Sequence, residues 1–463
     1  MSKTPPEGAL KRRGRGRPRP RVRRAPDERP AGTRAPVPSG PRRGRTKSEL
    51  EALTRSLSWQ RTGEARAPAA PVLAVPRSLS VFMVGWEFPP HHSGGLGVHC
   101  RELVKELTRM GHRITFTTPF PGPYEAVEGV RFLHPGAPDD RPEPPYPGAY
   151  DMGPDSIAPA AIDRYNDWIA SRAGVEAFDV IHVHDWFGTV GAAALARRTG
   201  APLVMTIHST EYDRSLGHPW AEILARETAG LRAAERVIAV SRHLRQQLID
   251  RYGVDGAKVR VVYNAVRPSD RLGPIAHTRS MVLYLGRLAA MKGVDTFLRA
   301  AARVAAFEAD TLFVVAGEGP EFPHLVTLAA HLGIGERVLF VGRVTEEERA
   351  VLLSSASVFV LPSVVEPFGI AALEAMAAGV PSIVSKTSGV AEIAGGVFAV
   401  DFWDIDEFAS RITELLEYSP LREAMGAQGR WDALREGWPE RAVQTVGVYA
   451  ELLVARTRPA SPP

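Results

Sequence analysis

From Ser78 onward the chain repeats one pattern, a short run rich in β-branched and aromatic residues followed by an amphipathic helical period, in two successive blocks. The first block carries "SLSVFMVGW" (78–86), "HRITFTTP" (112–119), "FDVIHVHD" (178–185), "APLVMTIHS" (201–209), "RVIAVS" (236–241) and "KVRVVYN" (258–264). The second restarts at "MVLYLGRL" (281–288) and continues through "DTLFVVAGEG" (310–319), "RVLFVGRV" (337–344), "SVFVLPS" (357–363), "VPSIVSK" (380–386) and "GVFAVD" (396–401). Helical periods such as 98–109, 192–198 and 242–252 lie between them. Strands that alternate with helices pair in parallel, because each crossover returns the chain to the same end of the sheet. The expected fold is therefore α/β, with two doubly wound domains at 78–270 and 271–438 facing each other across a cleft. The proline-broken stretch 267–280 links them, and Pro119–Asp155 reads as a surface insertion. Helices follow over 406–435, with Asp404 or Asp406 as N-cap. A last amphipathic helix within 439–457 is expected to pack back toward the first domain.

The 463 residues are ample for two such cores. Charge is uneven: residues 1–70 hold 19 basic and 6 acidic side chains, leaving 38 basic and 46 acidic ones in the rest. The basic character belongs to an Arg/Pro-rich tail, 1–77, whose composition predicts disorder because it offers too little apolar surface to offset ordering. Within the tail "GRGRPRP" (14–20) resembles an AT-hook, a peptide that enters A·T-rich minor grooves, so nucleic acid or another polyanion is a candidate partner. Cys100 is the single cysteine, which excludes an intramolecular disulfide and fits a reducing compartment. No apolar run approaches the roughly 20 residues of a membrane span, and no secretory signal opens the chain. The expectation is a cytoplasmic protein.

Two places carry candidate chemistry. In "WEFPPHHSGGLGVHC" (86–100), Gly94 and Gly95 sit at a strand-to-helix joint without spelling a dinucleotide or P-loop fingerprint. In the second block, "GRLAAMKG" puts Arg287 and Lys292 at a strand exit just before a helix, where a forked and a point cation suit a diphosphate. "VVEPFGIAALEAMAAGVP" then places Glu366 at the mouth of a helix expected to begin near Phe368, and Glu374 eight residues on. Amides of Phe368, Gly369 and Ile370 would point out of that N-terminus toward phosphate or sugar oxygens.

"EPFGIAALEAMAAGVP" resembles the Glu-x7-Glu signature of retaining nucleotide-sugar glycosyltransferases of family 4, which have the GT-B fold of two Rossmann-like domains. "GRL…KG" resembles the phosphate-binding pair of the same family. The resemblance runs from about Ser80 to the C-terminus and is nearest to bacterial and archaeal glycogen (starch) synthase-like proteins. It implies that Glu366 hydrogen-bonds hydroxyls of the donor sugar, Glu374 the ribose, and Arg287 with Lys292 the diphosphate. It implies further that "GRVTEEE" (342–348), with Arg343 and Val344, meets the nucleobase. "SGGLG" resembles a "TGGL" loop that closes over the donor phosphates, although His92 stands where those synthases carry Lys. "HVHDW" (182–186) matches the same group, and His184 falls on the residue that contacts the sugar near its reacting carbon. "HSTEYDRS" (208–215) resembles an acceptor-side loop, so His208, Glu211 and Asp213 are acceptor candidates, with turn-forming and capping roles equally open. In "YNAVRP", Ala265 and Arg267 replace the Gly and Asp of the family's Asn-Gly-Val-Asp linker, which predicts a stiffer hinge.

These readings predict a hexosyltransferase, moving a glucosyl unit from a nucleoside-diphosphate sugar to a hydroxyl of an α-glucan with retention. A cell-surface or lipid-linked acceptor is the enzyme alternative. A DNA- or polyanion-binding protein acting through its tail is the alternative of another class. No cofactor is expected. His182 and His184 share one strand face, but with no third ligand placed beside them a metal is not expected.

Overall fold

The computed structural model describes residues 44–63, 78–90, 94–119, 122–135, 159–172, 174–267 and 279–457. The first domain holds β1 (Ser80–Val84), β2 (Arg113–Thr117), β3 (Val130–Leu133), β4 (Val180–His184), β5 (Leu203–Ile207), β6 (Arg236–Ala239) and β7 (Val259–Val261). They form one seven-stranded sheet in the order β3-β2-β1-β4-β5-β6-β7, parallel throughout. The second holds β8 (Met281–Leu285), β9 (Leu312–Ala316), β10 (Val338–Gly342), β11 (Val358–Leu361), β12 (Ser382–Ser385) and β13 (Val397–Val400). Its six strands are ordered β10-β9-β8-β11-β12-β13 and are again parallel. Most central strands are buried along their whole length, as parallel strands covered by helices on both faces must be. Strand order reverses between β1 and β4, and again between β8 and β11. Such switch points open a crevice at the carboxyl ends of the strands.

Two features depart from the sequence expectation. Pro119–Asp155 is not simply an insertion, since β3 lies within it and pairs with β2; residues 136–158 lie outside the described residues. Four residues on a sheet edge, none of them buried, carry no periodicity that could announce them. The tail also contains a helix, Lys47–Gly63. Thr46 and Glu49 close a capping box at its start. Leu50 and Leu57 are buried where it packs on the helix Ser419–Leu434. The expectation of disorder over 1–77 is corrected for these residues, because averaging over the Arg/Pro run hid a Leu50, Leu53, Leu57 stripe at helical spacing. The AT-hook-like "GRGRPRP" lies outside the described residues.

The two domains meet along several contacts. Glu392, from the second, accepts the amides of Arg242 and His243 at 2.8 and 2.7 Å, so it caps a first-domain helix, Arg242–Tyr252. Arg101 bonds Glu346 at 3.0 Å. The linker is docked as well: Asn264 Oδ1 lies 2.7 Å from His99 Nδ1, Ala265 is buried, and Arg267 pairs with Glu102. Helix Trp438–Thr457 packs against the first domain, with Tyr449 and Val446 in one cluster with Leu103, Leu107 and Val81. Among the described residues, no helix is long and apolar enough to cross a membrane.

Candidate functional site

On the second domain, close backbone packing positions the cations. Beyond β8, residues 290–292 form a tight turn that ends at Gly293, in the left-handed region at φ 64°. A Cβ there would stand 2.1 Å from the carbonyl oxygen of Pro362, so only glycine lets this turn press on the segment after β11. That approach brings Lys292 Nζ to 2.7 Å from Glu366 Oε2, which also accepts from Ser363 Oγ at 3.1 Å. Glu366 is buried, and its Oε1 takes no hydrogen bond from the described residues. Arg287 leaves the same strand end half-buried, its carbonyl accepting from the Tyr284 hydroxyl at 2.9 Å.

The helix after Glu366 spans Ile370–Ala377, two residues later than expected, with Gly369 at φ 100° as its N-cap. Phe368 and Gly369 therefore precede the helix, and Ile370 opens it. Glu374 stands about one turn in, rather than nearly two. Its carboxylate pairs with Arg349 at 3.3 Å. Burial raises the Glu374 pKa, and Arg349 works against that rise. Arg349 belongs to the helix Glu346–Ser355, which Thr345 and Glu348 cap and which directly follows exposed Arg343 and half-buried Val344. The second acid and the "GRVTEEE" segment thus form one unit.

Across the cleft, the helix Gly95–Arg109 starts at the second glycine, with Gly94 extended before it. A Cβ on Gly95 would lie 2.9 Å from Ile370 Cδ1, the first residue of the second-domain helix, whereas one on Gly94 would meet nothing within 4 Å. Gly95 permits contact between the domains, and Gly94 leaves space beside it. His91, His92 and Ser93 lie outside the described residues, and the substitution at His92 with them.

His184 ends β4 on the cleft floor. Its Nδ1 lies 3.1 Å from His208 Nε2, while its own Nε2 is buried without a partner among the described residues. A third imidazole, His99 from the glycine-joint helix, packs on both rings at centroid distances of 5.4 Å to His184 and 4.4 Å to His208. His99 Nδ1 is held by Asn264, and its Nε2 is also buried and unpaired among the described residues. Burial lowers all of these pKa values, that of His99 to about 4 and those of His184 and His208 well below the ordinary range. One ligand atom from each of the three lies within 4.8 Å of the others, a set of neutral imidazoles able to hold a divalent ion. The expectation of no metal rested on a missing third ligand, and His99 removes that ground. Its position 85 residues before His184 left no spacing signal to read. His182, in contrast, spends both nitrogens, at 2.7 Å each, on Tyr449 and Thr206, which makes it structural.

Each half of the chain matches a glycosyltransferase family. The family description "Glycosyltransferase Family 4" matches residues 93–270 and "Glycosyl transferases group 1" matches residues 269–432. A glycosyltransferase from Methanocaldococcus jannaschii is 30% identical over 405 residues, covering 80% of this chain and 98% of that protein. The chain is a family 4 glycosyltransferase. A glycogen synthase from Mycobacterium tuberculosis is 30% identical over 415 residues, covering 80% and 94%. A D-inositol 3-phosphate glycosyltransferase from Catenulispora acidiphila is 30% identical over 301 residues, covering 59% and 72%. The fold of this glycosyltransferase is also that of the sucrose-phosphate synthase of Thermosynechococcus elongatus, with a TM-score of 0.69 at 22% identity over 82% of this chain and all of that one. The two Rossmann-like domains are thus a GT-B pair.

In this glycosyltransferase the acceptor-loop candidates separate. Half-buried His208 joins the imidazole group, but Glu211 and Asp213 turn inward. Asp213 completes a capping box with Thr210 and accepts from Gln247 Nε2 at 2.7 Å. Glu211 pairs with Arg214 at 3.3 Å, and Arg214 in turn with fully buried Glu227 at 3.0 Å. Both side chains hold the loop in place instead of offering themselves to an acceptor. Asp185, which sequence reasoning gave no role, accepts from the His208 amide at 2.7 Å and adopts φ 53°. Burial pushes its pKa up to about 7, against the pull of Arg214.

Proposed function

We propose that this family 4 glycosyltransferase moves a glucosyl unit from a nucleoside-diphosphate glucose to a hydroxyl of an α-glucan, with retention at the anomeric carbon. The observation that carries the reading is the Lys292–Glu366 contact at 2.7 Å, set at the second-domain switch point beside the Gly95–Ile370 approach. A cation bonded to one carboxylate oxygen, with the other oxygen unspent, can serve two parts of a donor at once. Lys292 moves to the departing diphosphate while Glu366 receives sugar hydroxyls. Arg287, the Gly94 and Gly95 amides and the first turn of Ile370–Ala377 add to the stabilisation of the leaving charge, which suits an oxocarbenium-like transition state. These groups carry that charge without a metal in the proposed reaction. Glu374 exchanges Arg349 for the ribose hydroxyls. The unpaired Nε2 of His184 meets the sugar near its reacting carbon, and closure of the cleft excludes water.

The glucan acceptor draws support from the glycogen synthase relative, which this chain matches over 94% of that protein. The test is a screen of ADP-, UDP- and GDP-sugars against glycogen and maltooligosaccharides, with product configuration read by NMR. Expected are α-linked extension with one glucose donor and loss of turnover in Glu366→Ala. Transfer only to a lipid-linked or phosphorylated acceptor would replace the glucan while keeping the donor half. No turnover of any nucleotide sugar would end the proposal.

A further inference from the structure

A cavity of about 670 Å³, whose lining includes neither Lys292 nor Glu366, opens where three parts of the chain meet. Arg242 and Tyr263 line it from the first domain, Glu392 and the 428–436 stretch from the second, and Arg441 from the final helix. Its volume falls within the range of small-molecule sites, roughly 300–1,000 Å³.

The charges in its walls are not balanced pair by pair. Each carboxylate is already committed. Glu392 takes two main-chain amides and the Tyr263 hydroxyl at 3.0 Å. Asp432 takes the amides of Gly395 and Gly396, at 2.8 and 3.0 Å, and Gln428 Nε2 at 2.9 Å. Glu436 pairs with Arg441 at 2.5 Å. The guanidinium groups are not committed to the same degree. Arg435 lies over the Trp431 ring at 5.3 Å and makes no ion pair among the described residues, and neither does Arg242. Two buried atoms of lining residues also lack any partner among the described residues: the donor Arg441 Nε and the acceptor Gln428 Oε1. A buried polar atom left unsatisfied is costly, so two of them on residues that line one cavity, one of each polarity, favour a polar occupant.

We infer that this cavity binds a small hydroxylated anion, a sugar or polyol phosphate monoester, at a site separate from the donor and acceptor sites. The phosphate sits among Arg242, Arg435 and Arg441 Nε, and a hydroxyl donates to Gln428 Oε1. Guanidinium forks suit phosphate oxygens. Because the walls come from both domains and from the helix that joins them, an occupant favours the domain arrangement seen here over an opened one.

The test is calorimetric titration and thermal unfolding of the full chain with glucose 6-phosphate, with inorganic phosphate and glucose as separate arms. Expected is saturable binding of glucose 6-phosphate, weaker for phosphate and absent for glucose. Affinity should fall at least about tenfold in an Arg242→Ala/Arg435→Ala double variant, the loss of one or two charge-assisted contacts. Both substitutions are at exposed side chains, so the fold should survive, and far-UV circular dichroism checks this. Lys292→Ala should leave the binding intact. Absence of saturable binding up to about 10 mM, where even a weak site of about 4 kcal/mol would fill, overturns the inference. So does binding that Lys292→Ala abolishes and the double variant leaves unchanged, because the anion then occupies the donor cleft. Loss of donor turnover without loss of glucose 6-phosphate binding would count against the proposed reaction alone.

Discussion

Gly95 and Ile370 face each other across the cleft so closely that a single added carbon on the glycine would come within 2.9 Å of Ile370 Cδ1. The two residues open helices of opposite domains, so the contact brings two helix N-termini side by side. Alanine at Gly95 meets only the far end of a flexible side chain and should be tolerated. Valine cannot be, and Gly95→Val should lower kcat/KM by about 10²-fold through misplacement of the closing domains. Steady-state kinetics of both variants, with Tm unchanged, check this.

Lys292 and Glu366 should fail differently. Lys292→Ala removes a donor to the leaving group and should cost about 10²–10³-fold in kcat. Glu366→Gln keeps the side-chain shape and the hydrogen bond to Ser363 but loses the charge that aligns Lys292. It should raise KM for the donor as well as lower kcat. A variant pair with wild-type kinetics would contradict the assigned roles.

The buried histidines make stability depend on pH. The folded-state pKa of His99, about 4, and that of His182, about 3, lie below the ordinary 6.5, as do those of His184 and His208. Each neutral ring contributes its full stabilisation above pH 6.5, and the contribution is lost as pH falls from there toward 4. Tm should drop steeply over that window, with a slope of up to about 1.4 kcal/mol per pH unit for each ring.

Asp185 runs the other way. Its folded pKa of about 7 stands above its ordinary 3.8, so the cost of ionising it is absent below pH 4 and complete above pH 7. Asp185→Asn tolerates the positive φ and keeps an acceptor for the His208 amide. Its Tm should exceed that of the wild type at pH 8, with the gap closing toward pH 4. A gap that does not vary with pH would mean the carboxyl titrates in the ordinary range.

Truncations should distinguish two parts of the basic tail. Removing residues 1–43 should leave Tm unchanged, whereas removing 1–63 strips the helix that buries Leu50 and Leu57 and should lower it. Leu57→Ala alone should cost about 2 kcal/mol, read by urea denaturation. Duplex binding by the full chain and the 1–43 deletion tests the AT-hook-like segment without disturbing the fold.

The strands that form the middle of each sheet were legible because parallel strands buried on both faces read as short apolar runs between helical periods. Lys292 and Glu366 were legible because both lie within a few residues of a strand end. β3 was not, since an edge strand such as Val130–Leu133 needs only β2 as a partner and carries no distinct pattern. His99 was hidden by distance along the chain, and its role exists only once Asn264 fixes its ring. For Glu211 and Asp213 the sequence left acceptor and capping roles open for the opposite reason. Polar residues in a plausible loop look available until Arg214, Thr210 and Gln247 are seen to occupy them.

The return of Trp438–Thr457 to the first domain, where Tyr449 hydrogen-bonds His182, changes how the halves can be exchanged between relatives. A chimaera that swaps the acceptor half by cutting at the linker would leave the twenty residues of this helix matched to a surface that is no longer there. Functional hybrids should require the N-terminal block and the C-terminal helix to come from the same parent.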